Sequence, residues 1–313
     1  DAFASLSVVD LKVQDDLTVT GDLDVDGGTI KLDGNYPNGV NNVALGNTAL
    51  DTASGSNGYS VAIGTNALTA MTTGGSNVAV GFASGTAITS GGNNISVGSE
   101  ALDATTTGGS NVAVGSAALG ANTTASNNVA VGHQALDANT TGASNVAMGK
   151  GALGANTTAS NNVAVGFEAG LANTTGNENT FLGNKAGTAV TTGADNTFVG
   201  SEAGDATTTG ASNVAMGKGA LSANTTASNN TTVGFESGLS TTTGAQNTFF
   251  GRKAGRGNTT GTENTFVGNS AGRDGTTTGS HNVGLGTAAL NALTGGNNNI
   301  GIGRDSLGAN TTA

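Results

Sequence analysis

The sequence predicts an all-β fold, a parallel β-solenoid (β-roll) of about sixteen 17-residue coils. Three observations predict it: one glycine returns in a fixed phase, the residues around that glycine repeat, and the composition disfavours helices. The chain has 313 residues, with 54 glycines, one proline and no cysteine. The ten residues SNVAMGKGAL occur at 144–153 and return unchanged at 212–221. A fixed period of this kind is typical of solenoids and other repeat arrays.

The repeat is best defined by the glycine that follows each short apolar run, which we call the anchor glycine. Thirteen of the fifteen intervals between anchors are 17 residues and two are 18. The sixteen anchors are Gly46, Gly64, Gly81, Gly98, Gly115, Gly132, Gly149, Gly166, Gly183, Gly200, Gly217, Gly234, Gly251, Gly268, Gly286 and Gly303.

Each unit follows the same order of residue types. The residue before the anchor is always apolar, Ala or Ser stands three residues after it, and Leu or Gly stands four after it. Thr-Thr is usual at eight and nine after the anchor. Gly, Thr, Asn and Val are poor helix formers, and apolar runs of three to five residues interrupted by glycine favour strands. We expect two short strands and two turns per coil, with strands in parallel about 4.8 Å apart.

Asparagine stands four residues before the anchor in 15 of 16 units, with Ser60 as the exception. In a stack of coils these side chains lie above one another, and we expect a structural ladder in which each amide bonds to the amides above and below. A polar row that contacts a ligand is the alternative. The column contains Asn42, Asn77, Asn94, Asn111, Asn128, Asn145, Asn162, Asn179, Asn196, Asn213, Asn230, Asn247, Asn264, Asn282 and Asn299.

A second pattern links the residue four after the anchor to the presence of Phe. Nine units have leucine there and no nearby Phe: Leu50, Leu68, Leu102, Leu119, Leu136, Leu153, Leu221, Leu290 and Leu307. Seven have glycine: Gly85, Gly170, Gly187, Gly204, Gly238, Gly255 and Gly272. All seven carry Phe beside or two before the anchor: Phe82, Phe167, Phe181, Phe198, Phe235, Phe249 with Phe250, and Phe266. Because interiors are close-packed, we expect every one of these Phe and Leu side chains to share one buried layer.

The run before the anchor predicts contact with other chains. Val112, Ala113 and Val114 are all apolar, although neighbouring strand residues face opposite sides. A strand that is apolar on both faces needs cover on both, and a single solenoid covers only the inner one. We expect copies of the same chain to supply the outer cover, with a homotrimer as the natural count for a fibre.

The first residues form a different segment. Asp10, Asp16 and Asp22 recur every six residues, each followed by alternating Leu and Val. Such short strands make no core alone, so we expect residues 1–34 to form an intertwined triple β-helix collar with partner chains. Residues 35–40 hold the only proline and predict a turn-rich junction, followed by the β-roll array at 41–313.

The collar also contains a weak calcium-loop pattern. Asp22, Asp24, Asp26 and Asp33 fit the spacing of an EF-hand loop. However, no helices flank them, and these acids alternate with apolar residues as on the outer face of a strand. A solvated acidic face is therefore the favoured interpretation.

Several sequence motifs resemble known fibrous proteins. The core N-x-V-A-V/I-G followed by x-x-A, as in NNVAVGHQA at 127–135, resembles the head repeat of trimeric autotransporter adhesins. The stretch DLTVTGDLDVDG at 16–27 is similar to collar segments of bacteriophage tail fibres, and ENTFVGNSAG at 263–272 is similar to arrays in such fibres and surface proteins. The resemblance implies a trimer of β-rolls, with no catalytic residues. The unit here is longer than the adhesin repeat by a Thr/Gly turn.

The remaining features favour a structural protein over an enzyme. The formal net charge is −11, which disfavours nucleic-acid binding, and no apolar run is long enough to insert in a membrane. There are two histidines, and acids are scattered singly, so we expect no catalytic, metal or cofactor site. Arg252, Lys253 and Arg256 form a short basic strip, which is either solvated or touches an anionic glycan.

We therefore expect an extracellular structural segment of a phage-like tail fibre, a rigid spacer that supports host attachment on a virion. Its partners would be copies of itself and a host-surface glycan or protein. The alternative is the head or stalk of a trimeric adhesin on a bacterial surface. A minor alternative is an ice-binding solenoid, because Thr-Thr recurs in phase.

Overall fold

A computed structural model describes residues 41–52, 58–309 and 311–312 of the chain. These residues form a parallel β-solenoid of sixteen coils, without a helix in the described part. Each coil contributes one three-residue strand. The strands are β1 Val43–Leu45, β2 Val61–Ile63, β3 Val78–Val80, β4 Ile95–Val97, β5 Val112–Val114, β6 Val129–Val131, β7 Val146–Met148, β8 Val163–Val165, β9 Thr180–Leu182, β10 Thr197–Val199, β11 Val214–Met216, β12 Thr231–Val233, β13 Thr248–Phe250, β14 Thr265–Val267, β15 Val283–Leu285 and β16 Ile300–Ile302.

The strands form one sheet in sequence order, and each pairs in parallel with the next. Equivalent repeat positions face each other, as in the pairing of Val112 with Val129 and of Val114 with Val131. Both 18-residue units keep this register; after the longer interval, Thr265 still pairs with Val283. The extra residue of each unit therefore lies outside the strand.

The second apolar patch of each unit forms a turn, not the second strand that the sequence predicts. In the fifth coil Ala117 and Leu119 have φ angles of 55° and 53°, in the left-handed region. Alternation with left-handed residues is incompatible with an extended strand. The turn still stacks through its backbone, because the Leu119 N–H donates to the Ala135 carbonyl of the next coil at 3.0 Å.

The anchor must be glycine for two reasons. Gly166 has a φ of +140°, which residues with a side chain rarely adopt. A Cβ at that position would also lie 2.4 Å from the carbonyl oxygen of Gly183, the anchor of the next coil. The invariant glycine therefore permits both the corner after the strand and the close stacking of coils.

The core is a narrow column built mainly from alanine and leucine. In β2 to β16 the middle strand residue is buried, and the first and third residues are not. In the fifth coil Ala113 from the strand packs with Ala118 and Leu119 from the turn. Most coils bury one large side chain in this narrow interior, and the second coil buries two, Leu68 and Met71.

The Phe residues two before the anchor replace leucine in this core. Phe181, Phe198, Phe249 and Phe266 are fully buried. Their rings stack between coils, with centroids 5.8 Å apart for Phe181 and Phe198, and 5.4 Å apart for Phe249 and Phe266. The accompanying glycine provides the space, since a Cβ on Gly204 would lie 2.5 Å from the Phe198 ring.

The prediction that all these Phe and Leu side chains share one buried layer is wrong for four of the Phe residues and for Leu307, which is 45% exposed. Phe82, Phe167, Phe235 and Phe250 are exposed. Phe250 is the third residue of β13, which the strand alternation turns outward. Phe82, Phe167 and Phe235 instead follow their anchors and lie outside the strand. The glycine in the Phe167 coil has another cause, because a Cβ on Gly170 would lie 2.4 Å from the ring of Phe181 in the following coil. The predicted collar at 1–34 and the junction at 35–40 lie outside the described residues.

The Phe–Gly pairing predicts a rescue experiment. Gly204→Leu should destabilise the chain by about 2–3 kcal/mol, because it overpacks the site against Phe198 and places a side chain at a φ of +57°. Phe198→Ala combined with Gly204→Leu should recover at least half of this loss, since it recreates the alanine–leucine coil. Urea denaturation of both variants measures the effect. A double variant no more stable than Gly204→Leu would contradict the shared-volume explanation.

Candidate functional site: asparagine columns and an outward apolar face

The most regular polar feature is the column of asparagines four before the anchor, which we call the asparagine ladder. The backbone N–H of each member donates to the Oδ1 of the member below, as from Asn162 to Asn145 at 2.9 Å. The Nδ2 group of Asn145 donates to the carbonyl of Ala159 at 2.8 Å. The ladder thus bonds each coil to its neighbour and also fixes a turn within it.

The bonding differs in detail from a pure amide-to-amide ladder. Direct Nδ2 to Oδ1 bonds occur at some steps, such as Asn196 to Asn179 at 3.1 Å and Asn213 to Asn196 at 3.1 Å. The regular bond instead comes from the backbone N–H, because this residue stands just before the strand and its N–H lies outside the strand pairing. Ser60 keeps the chain of bonds, since its N–H donates to Asn42 Oδ1 and its hydroxyl accepts from the Asn77 N–H.

A second column of buried asparagines escaped the sequence analysis. Asn122, Asn139, Asn156 and Asn173 stand seven residues after successive anchors and are fully buried. Nδ2 of Asn156 donates to Oδ1 of Asn139 at 2.8 Å and to the Ala159 carbonyl at 3.0 Å. The repeated string ANTT was the available signal, but the threonines beside it suggested only a turn.

This second column ends with an unsatisfied atom. Oδ1 of Asn173 is buried without a hydrogen-bond partner. The equivalent residue of the next coil is Val190, which is fully buried and offers no donor. At the other end the column terminates on a hydroxyl, because Asn122 Nδ2 donates to Thr105 Oγ1 at 3.1 Å.

Two threonine columns follow the second asparagine column. The first threonine of each pair is half-buried and donates to the backbone of the next coil, as from Thr140 Oγ1 to the Thr157 carbonyl at 3.0 Å. The second threonine, such as Thr141 or Thr158, is exposed. The exposed threonines therefore form a row of hydroxyl-bearing side chains along the turns of the solenoid.

The first and third residues of the sixteen strands form a continuous outward surface, which we call the outer face. None of these 32 residues is buried, and all are Val, Ile, Leu, Met, Phe or Thr. Leu182 and Met216 are 46% and 41% exposed. Exposed uncharged strips of this length are typical of interaction surfaces.

No charged side chain belongs to the outer face, and some of the charged side chains pair between coils. Glu168 contacts Lys185 at 3.8 Å, and Glu236 contacts Lys253 at 3.7 Å and Arg256 at 3.0 Å. Such exposed pairs add little stability. They do neutralise two of the three cations in the predicted basic strip, which weakens the case for an anionic-glycan contact there.

A shallow groove of about 380 Å³ crosses the turn side of the solenoid. Gly151 and Gly154 leave it open, because the neighbouring coils carry Gln134, Asp137 and Leu171 at the equivalent positions. The groove therefore combines one carboxylate, one amide and an apolar side chain on a glycine floor.

Two half-buried carboxylates stand in alternate coils on this side. Burial raises the pKa of Asp103, and the negative charge of Glu100 adds to the effect. Burial also raises the pKa of Asp137, although a hydrogen bond from Gln134 opposes it. Desolvation is the first cause in both, so a catalytic partner is not needed to explain either shift.

The remaining predicted site falls outside the described part of the chain. Asp22, Asp24, Asp26 and Asp33 are among the residues that the structure does not describe. Among the residues it does describe, no group of three or more His, Asp or Glu side chains is placed to hold a metal ion. In the same ranges, no helix is long and apolar enough to cross a membrane.

A comparison with protein-family models found no match to this chain. A search of curated proteins likewise found no similar sequence. The fold and the outer face therefore define the class of protein on their own: a repeat-built parallel β-solenoid with a long outward-facing apolar strip.

The asparagine ladder predicts a strong and specific mutational effect. Asn196→Ala should destabilise the chain by about 3 kcal/mol, because it leaves the Asn213 N–H and the Gly210 carbonyl without their buried partner. Asn196→Ser should lose less, since serine occupies this position naturally at Ser60. Asp195→Asn, at the adjacent exposed residue, is the control and should cost under about 0.5 kcal/mol. Equal losses for all three in urea denaturation would show that the ladder bonds contribute nothing specific.

The orphaned oxygen of Asn173 predicts a stabilising substitution. Val190→Thr should raise the free energy of unfolding by about 1 kcal/mol, because its hydroxyl can donate to Asn173 Oδ1 at nearly constant volume. The reverse change, Thr207→Val, should cost about 1 kcal/mol, since Asn224 Nδ2 would lose its 3.2 Å bond. Thermal and urea unfolding of the two variants should shift in opposite directions. Shifts of the same sign would refute the interpretation of the column.

Proposed function

We propose that this chain is a structural segment of a phage-like tail fibre, a rigid homotrimeric spacer that supports attachment to a host surface. The observation that carries the proposal is the outer face. Thirty-two uncharged residues over sixteen coils give a strip about 70 Å long and about 10 Å wide. A spacer requires uniform length and stiffness along its whole extent. It also requires a surface that binds copies of the same chain, and it does not require a ligand pocket.

The hydrogen-bond pattern supports the rigid role. Each coil is held to the next by the strand ladder, the asparagine ladder and the threonine hydroxyls, as at Asn179, Asn196 and Thr191. Stability in such an array is a sum of nearest-neighbour terms. Adding coils therefore extends the rod without a new core.

A trimer is the assembly that the resemblance to adhesin heads and fibre collars favours. Identical parallel chains close around an axis by cyclic symmetry, and each chain then buries the same strip. We place the assembly outside the cell, on a virion. The groove beside Asp137 and Gln134 offers a shallow contact for a host glycan, but the spacer role does not require it. No nucleic acid, cofactor or catalytic step belongs to this proposal.

The runner-up is the head or stalk of a trimeric adhesin on a bacterial surface. It shares the outer face, and it differs because the segment itself would bind the target. Incubating the labelled 313-residue chain with candidate host cells separates the two: a spacer leaves the cells unlabelled, whereas an adhesin head labels them. A minor alternative is ice binding, favoured only by the exposed threonines such as Thr141 and Thr158. Thermal hysteresis in solution would support it.

The mass of the purified chain tests the trimer. Light scattering should give about 89 kDa, three times the 29.8 kDa of one chain. Replacing Met216 and Val199 on the outer face by glutamate should yield monomers, because three copies would bury like charges together. The matched control places glutamate at Thr226 and Thr209, exposed residues of the same two coils, and should remain trimeric. A native monomer, or a control that dissociates equally, would refute the proposal.

A further inference from the structure

The third strand residue, just before the anchor, shows a pattern that the repeat itself does not explain. Side-chain volume alternates from coil to coil over the second half of the outer face. The large members recur every second coil: Met148, Leu182, Met216, Phe250 and Leu285. The small members between them are all valine: Val165, Val199, Val233 and Val267. Earlier coils lack this alternation.

The chain makes little use of these volumes within its own core. Met148 is 43% exposed and Phe250 is 56% exposed, and both belong to the outward column of the sheet. The packing of the interior therefore does not select large residues in one coil and valine in the next. A partner on the outer face can select them.

A perfectly periodic face has a weakness as an interface. If every coil were alike, a partner could slide by one coil, about 4.8 Å, and find nearly the same contacts. The first strand residue offers no protection, because it is always Val, Ile or Thr. An assembly of such chains needs a feature with a longer period to fix its axial register.

We propose that the alternating column fixes the register between copies of this chain, so that coils of the same number lie at the same level. This inference rests on the proposed homotrimer. Large side chains from three copies that meet at one level need more height than one coil provides. The valine levels above and below supply that height, because a close-packed interface interleaves large and small residues.

A slide of one coil would bring large side chains onto valine levels that their neighbours already fill. Such overpacking is unfavourable. A slide of two coils keeps large side chains level with large ones in the alternating part. However, it moves Met148 to a level where other copies have Val114 or Leu182. It also leaves two coils uncovered at each end. The same-level arrangement is therefore the one with every coil covered.

The size and charge of the outer face suit a second copy of this chain as the occupant. Its area of about 700 Å² is close to the 800 Å² per partner that is typical of a stable interface. It carries no charge that a copy would have to bury. Identical strips also have identical lengths, so equal chains cover each other from end to end.

Cross-linking tests the register directly, because the chain has no cysteine of its own. One affinity-tagged chain carries Val146→Cys in the seventh coil, and a second chain with another tag carries Val163→Cys in the eighth. After co-expression and treatment with a short bismaleimide, 146–146 and 163–163 products should exceed the 146–163 product at least tenfold. Comparable amounts of the mixed product in native chains would overturn the proposal.

A phase-inverted chain provides the decisive variant at nearly constant total volume. It combines Leu182→Val, Met216→Val and Phe250→Val with Val165→Met, Val199→Met and Val233→Met. The inverted chain carries Val163→Cys and is co-expressed with a native chain that carries Val146→Cys. Either the 146–163 product should be the main cross-link between the two kinds of chain, or the two kinds should not form mixed trimers. Same-level mixed trimers would overturn the proposal.

The matched control keeps the alternation of large and small side chains and changes only the type of the large residue. Met148→Leu with Met216→Leu should mix freely with native chains and retain same-level links. Failure of that control to mix would show that the pattern of volumes is not the selector. A native chain of 29.8 kDa by light scattering would refute the trimer as well, whereas mixed-level links in a trimer would refute the register alone.

Discussion

The structure depends on one repeated hydrogen bond, from the backbone N–H of each ladder asparagine to the side-chain oxygen of the asparagine one coil below. A coil contributes only three strand residues, so the sheet alone offers few bonds per layer. The ladder adds bonds where the strand begins, in a fully buried position where no water competes. Thirteen such bonds link the asparagines of fourteen successive coils without a large hydrophobic core.

The tight turn of each coil requires a left-handed backbone conformation, and either leucine or glycine adopts it. The position four after the anchor is left-handed in every coil, whether leucine or glycine occupies it, as at Leu136 and Gly187. Leucine there is strained but fills the core, and burial offsets the strain. Glycine is unstrained and leaves space for a Phe such as Phe181. The same position thus balances backbone strain against buried volume.

Different types of side chain occupy different sides of the solenoid. Apolar residues occupy the outer face, hydroxyl and amide side chains occupy the turns after it, and charges pair on the intervening side, as with Glu168 and Lys185. A chain that stayed alone in water would gain nothing from an uncharged strip along its whole sheet. This division is the physical basis of the proposed homomeric assembly.

The sequence by itself determined the solenoid, the number of coils and the positions that stack, because a strict 17-residue phase permits no other repeated contact. It also placed Asn196 and its equivalents in one column and linked Phe198 to Gly204. Only the tertiary structure decided that each coil has one strand, since left-handed residues such as Leu119 are invisible in a pattern of apolar letters. Likewise, which side of the chain Phe167 or Phe250 faces depends on a corner at the anchor glycine. The second asparagine column also required coordinates, because burial of Asn156 depends on how turns, not strands, lie over one another.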